Sequence, residues 1–279
     1  MALSIKAEPL FEIGSITVTN SLLSGALVAI CLILFFVIYQ KNLKLLPTKF
    51  QLFIEWVIES IYSLCKDVLG KESAVKLFPI IFTFFTFIII SNWFGLLPFV
   101  GSVGTAKHSK GEGGLHIPTI VLGGEQNFFE INSKTEIKPY FRSSSADLNF
   151  TIALAIISFL LIQFSALKGA GFHYLGKYFD YRVKIGKGLA MLGVPFMFLI
   201  NFFWKTLELV LEFSKILSFS FRLFGNIFAG EVLLLVITSL TFGLLTLPFI
   251  GFEIFVGFIQ AIVFIFLTMV FIKVSVEAH

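Results

Sequence analysis

The chain has 279 residues, of which 57% are hydrophobic and only 14% charged, with a mean hydropathy of +0.94. Soluble domains carry about 25% charged residues, so this composition excludes a water-soluble enzyme and points to a protein of the bilayer. The net charge of +4 and pI of about 9.0 do not call for nucleic acid, because the lysines concentrate in loops beside apolar runs, as the positive-inside rule expects.

The N-terminal stretch MALSIKAEPLFEIGS lacks the basic region, short apolar run and small-residue cleavage site of a signal peptide, so the apolar run after it is read as a true span. No charge occurs between Glu12 and Lys41, and residues 19–40 are expected to form the first transmembrane helix. Residues 48–70 differ: Phe50, Phe53, Ile54, Val57, Ile58, Ile61 and Leu64 recur at helical spacing while Glu55 and Glu59 mark another face, which predicts an amphipathic helix at the membrane surface or against a partner. Further spans are expected at 77–100 and 148–167, separated by a polar loop at 101–146. After a basic loop at 168–187, the apolar blocks 190–242 and 250–276 predict a long tilted helical hairpin, turning at Gly243, Pro248 and Gly251. The expected fold is a single all-α membrane domain, 1–279, with about five transmembrane helices plus the amphipathic interfacial helix.

Loop charge orients it. The 41–49 loop holds Lys41, Lys44 and Lys49 with no acid, and the 168–187 loop holds Lys168, Lys177, Arg182, Lys184 and Lys187 against Asp180; both should face the cytoplasm. The N-terminus and the nearly charge-balanced 101–146 loop then lie outside. Cys31 and Cys65 fall inside predicted helices without metal or disulfide spacing and are read as packing residues. No phosphate loop, nucleophile triad or metal cluster is present in the sequence, so no catalytic residue, metal or cofactor is expected.

The informative residues are polar ones within apolar helices. At about 100° per residue, Lys205, Glu208, Glu212, Lys215, Arg222 and Asn226 share one stripe of the long helix, while Glu231 falls opposite Arg222 and about 13 Å along. Lys205, Glu208, Glu212 and Lys215 can equally be a solvated face held by intrahelical ion pairs. Arg222 resists that reading: it has apolar residues on both sides, and a helix-centre arginine costs about 3 kcal/mol on insertion scales. Ser218, Gly225 and Ala229 flank it and would admit another helix. The final helix carries Glu253 and Gln260, about 10 Å apart along one face. Glu231 and Glu253 lie on consecutive antiparallel helices and are expected to approach each other as a carboxyl pair able to relay a proton.

The stretch "SFSFRLFGNIFAGE" resembles the signature of subunit a of F-type ATP synthases, the stator of the ion turbine. "FIQAIVFIFLTMVFIKVSVEAH" is similar to that subunit's last helix, "SNWFGLLP" and "SSADLNFTIALA" to its earlier spans, and "PTKFQLFIEWV" to its amphipathic helix. The resemblance implies a non-catalytic, multi-pass subunit of a bacterial plasma membrane, or alternatively of an organelle's energy-transducing membrane. Its partners would be the c-ring rotor, the peripheral stalk b subunits, the rest of the synthase and the lipid bilayer. It implies that Arg222 separates two half-channels and faces the rotor carboxylates, with Asn226 and Gln260 beside it and Glu231 and Glu253 in the outer half-channel. Family members often carry a histidine at one of these two acid positions, and an acid where this chain has Gly95. Asn92, Asp147 and Asn149 would then supply polarity on the outer path; Glu208, Lys215 and Ser218 are further channel-lining candidates.

Two other readings compete. A secondary transporter could use Arg222 to bind an anionic substrate, but such folds often show inverted repeats, and none is found. A purely structural subunit leaves Arg222, Glu231, Glu253 and Gln260 without a reason.

Overall fold

Inside a bilayer the backbone has no water to bond, so long apolar runs close their hydrogen bonds within helices. The computed structural model describes residues 9–13, 16–97, 100, 104–108, 135–171, 194–241 and 245–277. Helix α1 spans Asn20–Lys41, capped by the Thr19 hydroxyl, which accepts from the Leu22 N–H. Thr48 caps α2, Lys49–Leu69, in the same way. Only Gly70 separates α2 from α3, Lys71–Gly95, and its φ of 78° is a corner that a side chain would strain. A 3-10 turn at Ser144–Ala146 leads into α4, Leu148–Ala170, whose N-cap is Asp147. Helix α5 covers Val194–Leu240, 47 residues or about 70 Å. Helix α6 covers Thr246–Glu277. Helices α1, α3, α4, α5 and α6 are each long and apolar enough to cross a membrane. The chain is an all-α membrane protein in its bundle.

The helices alternate in direction. Ser21, at the start of α1, donates to Asp147 at the start of α4 at 2.5 Å. Gly95, at the end of α3, meets Ser143 at that same end. Helix α5 runs antiparallel to α4, joined by Gln163 to Glu212 and by Thr151 with Ser220. Helix α6 then returns, reaching Gly169 with Val276. The starts of α1, α4 and α6 and the ends of α3 and α5 therefore form one pole, while Lys41 and Lys168 lie at the other.

Aromatic and aliphatic side chains fill the centre. Phe264 of α6 meets Phe84 of α3 edge to face at 5.7 Å and Phe219 of α5 at a tilt at 5.0 Å; Ile162, Leu223, Ile265 and Met269 are buried around them. Polar clasps join the helices where hydrophobic attraction between them is weak in lipid: Ser158 with Thr268 at 2.9 Å, and Trp93 Nε1 to the Ile254 carbonyl at 3.0 Å. Helix α2 docks on the bundle through Ile61, Cys65 and the Tyr62–Phe78 ring pair, and leaves Phe50, Phe53 and Trp56 exposed.

Several sequence expectations meet a different outcome. Two antiparallel hairpins occur outside the helices: β1 (Pro9–Ile13) with β2 (Ile16–Thr19), and β3 (Gly104–His108) with β4 (Thr135–Pro139), the latter within the stretch read as the 101–146 loop. Pro248 and Gly251 lie inside α6 and not in the turn; Pro248 is its third residue, where no intrahelical N–H is needed. Gly243 and most of the 168–187 loop fall outside the described residues. The long helix expected in 190–242, by contrast, is present as one element: α5 runs through Gly225 without a break. Cys31, read as a packing residue, is exposed on α1, because that stretch of the helix turns its side away from the bundle.

Cys65 is fully buried, and burial pushes its thiol up to about 11. At pH 8 about one thiol in a thousand is then the reactive thiolate. In a C31S background, a maleimide should leave Cys65 unlabelled in native membranes at pH 8 and label it after SDS denaturation; rapid native labelling would contradict the α2–α3 packing.

Candidate functional site

At the pole where α3 and α5 end, Asn92, Gly95, Leu96, Ser143, Ile227, Glu231, Leu234 and Glu253 line a cavity of about 30 Å³, room for one or two waters. Glu253 is 6% exposed. Its carboxyl lies directly on Gly230 of α5, where any Cβ would overlap all three carboxyl atoms. Glycine at 230 is thus what lets an acid of α6 reach the flank of α5. Asn92 Nδ2 donates to the Gly257 carbonyl at 3.3 Å, which leaves Asn92 Oδ1 buried without a partner among the described residues. Such an orphaned acceptor is costly unless water reaches it, and the cavity is where water would sit.

The other side of the cavity comes from the segment before α4. A Cβ on Gly95 would meet Ser143 Cβ at 2.6 Å, so no larger residue fits at 95 while Ser143 holds its place. That close approach is the physical reason this chain carries glycine in "NWFGLLP". Beside it, Arg142 Nη2 donates to Glu231 Oε2 at 3.4 Å, with the two side chains 11% and 23% exposed.

Arg222 stands apart from this cavity. It is half-buried; Nη2 donates to Ser218 Oγ of the preceding turn at 3.3 Å, and Nη1 has no partner among the described residues. Ser218, Gly225 and Ala229 are exposed around it, and nothing lies within 4 Å of where a Gly225 side chain would begin. The contacts Phe219–Phe264 and Gly230–Glu253 set the α5–α6 register, and it brings Gln260 level with Leu223, one residue from Arg222. Gln260 is 6% exposed with its Nε2 unpartnered among the described residues; no hydrogen bond joins it to Arg222. Asn226 is half-buried one turn beyond.

The remaining candidates scatter. Asp147 accepts from the Asn149 N–H at 3.0 Å and from Ser21, a cap and clasp away from the cavity lining; the Asn149 side chain is exposed. Glu208 pairs with Lys205 at 3.6 Å, and Lys215 with Glu212 at 2.9 Å, each three residues apart on α5. Glu212 is nevertheless 5% exposed, accepts also from Gln163 at 3.2 Å, and Lys215 caps the Phe271 ring.

Sequence reasoning missed Arg142, Ser143 and Gly230. Arg142 and Ser143 lie in a polar segment where periodicity carries no information, though they immediately precede the motif "SSADLNF"; Gly230 stands next to Glu231 in a helix where glycine is otherwise a weak signal.

The family model for the ATP synthase A chain matches residues 21–273. The chain is 30% identical to the chloroplastic ATP synthase subunit a of Stigeoclonium helveticum, an alignment covering 98% of this chain and 96% of that one. It is 32% identical to ATP synthase subunit a of Geobacter sulfurreducens, covering 91% and 86%, and 31% identical to that of Lysinibacillus sphaericus, covering 96% and 97%. The family model over most of the chain and relatives matched over nearly their full length show the family: the chain belongs to the ATP synthase A chain family, subunit a of the membrane sector of F-type ATP synthases.

Proposed function

We propose that this chain is the proton-conducting stator of its synthase, with Arg222 standing between two offset half-channels and facing the carboxylates of the c-ring. The observation that carries this is the state of Arg222. It is a permanent cation on a mid-membrane helix face lined by Ser218, Gly225 and Ala229, which no other described element of this chain covers. A charge left there alone in lipid is costly; an anionic partner helix packed on the small residues would relieve the cost.

A rotor carboxylate must be neutral while it crosses lipid and must release its proton at the stator. A fixed guanidinium stabilises the carboxylate, and so drives that release. It also blocks a direct leak, since a proton passing as a cation meets a fixed positive charge. The membrane potential biases the exchange by about 2.3 kcal/mol per charge per 100 mV. The cavity of Glu231, Glu253 and Asn92 serves as the outer half-channel in this reading, because it lies at the pole opposite Lys41 and Lys168, which the positive-inside rule assigns to the cytoplasm. The stripe of Glu208, Glu212 and Lys215 lies toward the cytoplasmic pole. The peripheral stalk b subunits and the bacterial plasma membrane belong to the same proposal. An anion-binding transporter is disfavoured, because Arg222 opens onto an apolar face and not into the polar cavity.

Two experiments test this. Arg222→Gln, and Arg222→Lys because a desolvated lysine can lose its proton, should abolish ATP synthesis in energised vesicles while the membrane sector still assembles; substantial synthesis in Arg222→Gln vesicles would defeat the reading. Cysteines placed singly at Ser218, Gly225 and Ala229 should crosslink to cysteines near the carboxylate of the c subunit's outer helix. Crosslinks confined to other parts of this chain would favour the transporter.

A further inference from the structure

At the pole opposite the outer cavity, the corner between α1 and α2 combines bare apolar side chains with a run of cations. Residues 41–49 hold Lys41, Lys44 and Lys49 and no acid. All three lysines are exposed, and none is in an ion pair among the described residues. The loop is held in shape by Gln51, buried in the first turn of α2. Its side chain accepts from the Lys44 N–H at 3.3 Å and donates to the Lys44 carbonyl at 3.2 Å and to Glu55 at 2.8 Å. Past that clamp, Leu45 is 104% exposed and Leu46 87%. On α2 itself Phe50, Phe53 and Trp56 are exposed as well. At about 100° per residue these three span about 120° centred on Phe53, while Glu55 and Glu59 fall about 160° and 120° from that centre. Lys49 falls between Phe53 and Trp56 on the same wheel, so its stem runs along the apolar flank.

Ring contacts fix how α2 lies. Phe50 meets Phe35 at 6.3 Å between centroids, Phe36 meets Phe82 at 6.1 Å, and Tyr62 meets Phe78 at 5.3 Å. Measured along α1 and α3, the stretch from Phe50 to Tyr62, about 18 Å long, changes level by only about 7 Å. Helix α2 thus crosses the bundle nearly at right angles to the spans. Its start is level with Phe35, which lies about 9 Å inward of Lys41 along α1. An interfacial helix buries its apolar face about 5–10 Å into the boundary between headgroups and acyl chains, and this is that depth. We propose that the α1–α2 corner is a docking surface for anionic phospholipid. Leu45, Leu46 and the Phe50–Phe53–Trp56 flank enter the acyl boundary, and Lys41, Lys44 and Lys49 meet the headgroup phosphates. The charge balance selects the occupant, since three cations without an acid suit a negative surface. The first turn of α2 also holds no acid, so the positive end of its dipole adds to the lysines. A tryptophan at the edge of the flank is the side chain that settles where one end is apolar and the other wet.

The test is photo-crosslinking in the whole synthase, reconstituted into vesicles of equal parts phosphatidylcholine and phosphatidylglycerol. A benzophenone-bearing amino acid replaces Leu46 or Trp56, one at a time, and the adducts on this chain are identified by mass spectrometry. Both positions should yield phospholipid adducts, with phosphatidylglycerol enriched about fivefold over phosphatidylcholine, the ratio expected of one lysine held at an anionic surface. K41Q/K44Q/K49Q should return the adducts to the composition of the bulk mixture. A second measurement needs no variant and so does not depend on the triple assembling: raising the salt from about 0.05 to about 0.5 M should lower the enrichment at least twofold. Adducts to the peripheral stalk, to another subunit or to this chain in place of lipid would make the corner a protein interface and overturn the proposal. Lipid adducts at the bulk ratio, or an enrichment that neither salt nor the triple substitution changes, would overturn the selection of anionic headgroups by the lysines.

Discussion

The seat of the Glu253 carboxyl on Gly230 is the contact on which the rest of the site depends. Because no Cβ intervenes, α6 can approach α5 closely at their shared pole, and the Thr238–Thr246 hydroxyl contact near the turn holds the same register. Once that register is set, the helices are rigid rods with about 1.5 Å per residue, and everything further along follows. Phe219 meets Phe264, Gln260 comes level with the residue next to Arg222, and Glu231 is turned toward α3 and the segment before α4. A one-turn slip would bring Gln260 away from the arginine and bury a carboxylate against a side chain.

Polar groups inside the bundle divide by how they are compensated. Ser158 with Thr268 and Thr151 with Ser220 are neutral pairs that satisfy each other and act as glue, worth about 1 kcal/mol each in membranes. The Glu212–Lys215 and Glu231–Arg142 pairs are charged, and each is closed by a local or loop-borne partner. Arg222 Nη1, Gln260 Nε2 and Asn92 Oδ1 belong to neither class, since each is buried and unanswered among the described residues. Buried polar groups left so are rare unless water, an ion or a second molecule completes them. Of these three, one sits at the cavity and two sit beside the uncovered face of α5; six hydroxyls, Ser143 Oγ at the cavity among them, are unanswered in the same way among the described residues.

Much of this was legible in the sequence. Charge-free runs located the spans because lipid tolerates little else. Arg222, Glu231, Glu253 and Gln260 stood out because a polar residue in an apolar run is its own signal. What the sequence could not disclose was contact between segments distant in the chain. Arg142 sits in a polar stretch where one more charge is unremarkable, and its meaning depends on a residue 89 positions away. The hairpin of β3 and β4 escaped for a related reason, since short strands of mixed composition have no lipid-imposed pattern. The start of α6 was placed late because Pro248 and Gly251 read as turn residues, while proline in a first turn is compatible with a helix.

The missing acid at Gly95 and the presence of Arg142 have a common origin. Ser143 occupies the space that a side chain at position 95 would need, and the backbone placement that puts Ser143 there also carries Arg142 to Glu231. An acid at 95 would displace this segment and withdraw the cation; with glycine at 95, the segment closes against α3 and the cavity gains a positive charge in place of a third negative one. Three carboxyls around a cavity for one or two waters would repel one another strongly in a low dielectric. Two carboxyls and one guanidinium leave a single net negative charge at full ionisation, which fits the half-channel proposed for this cavity, where one proton at a time would bind and leave.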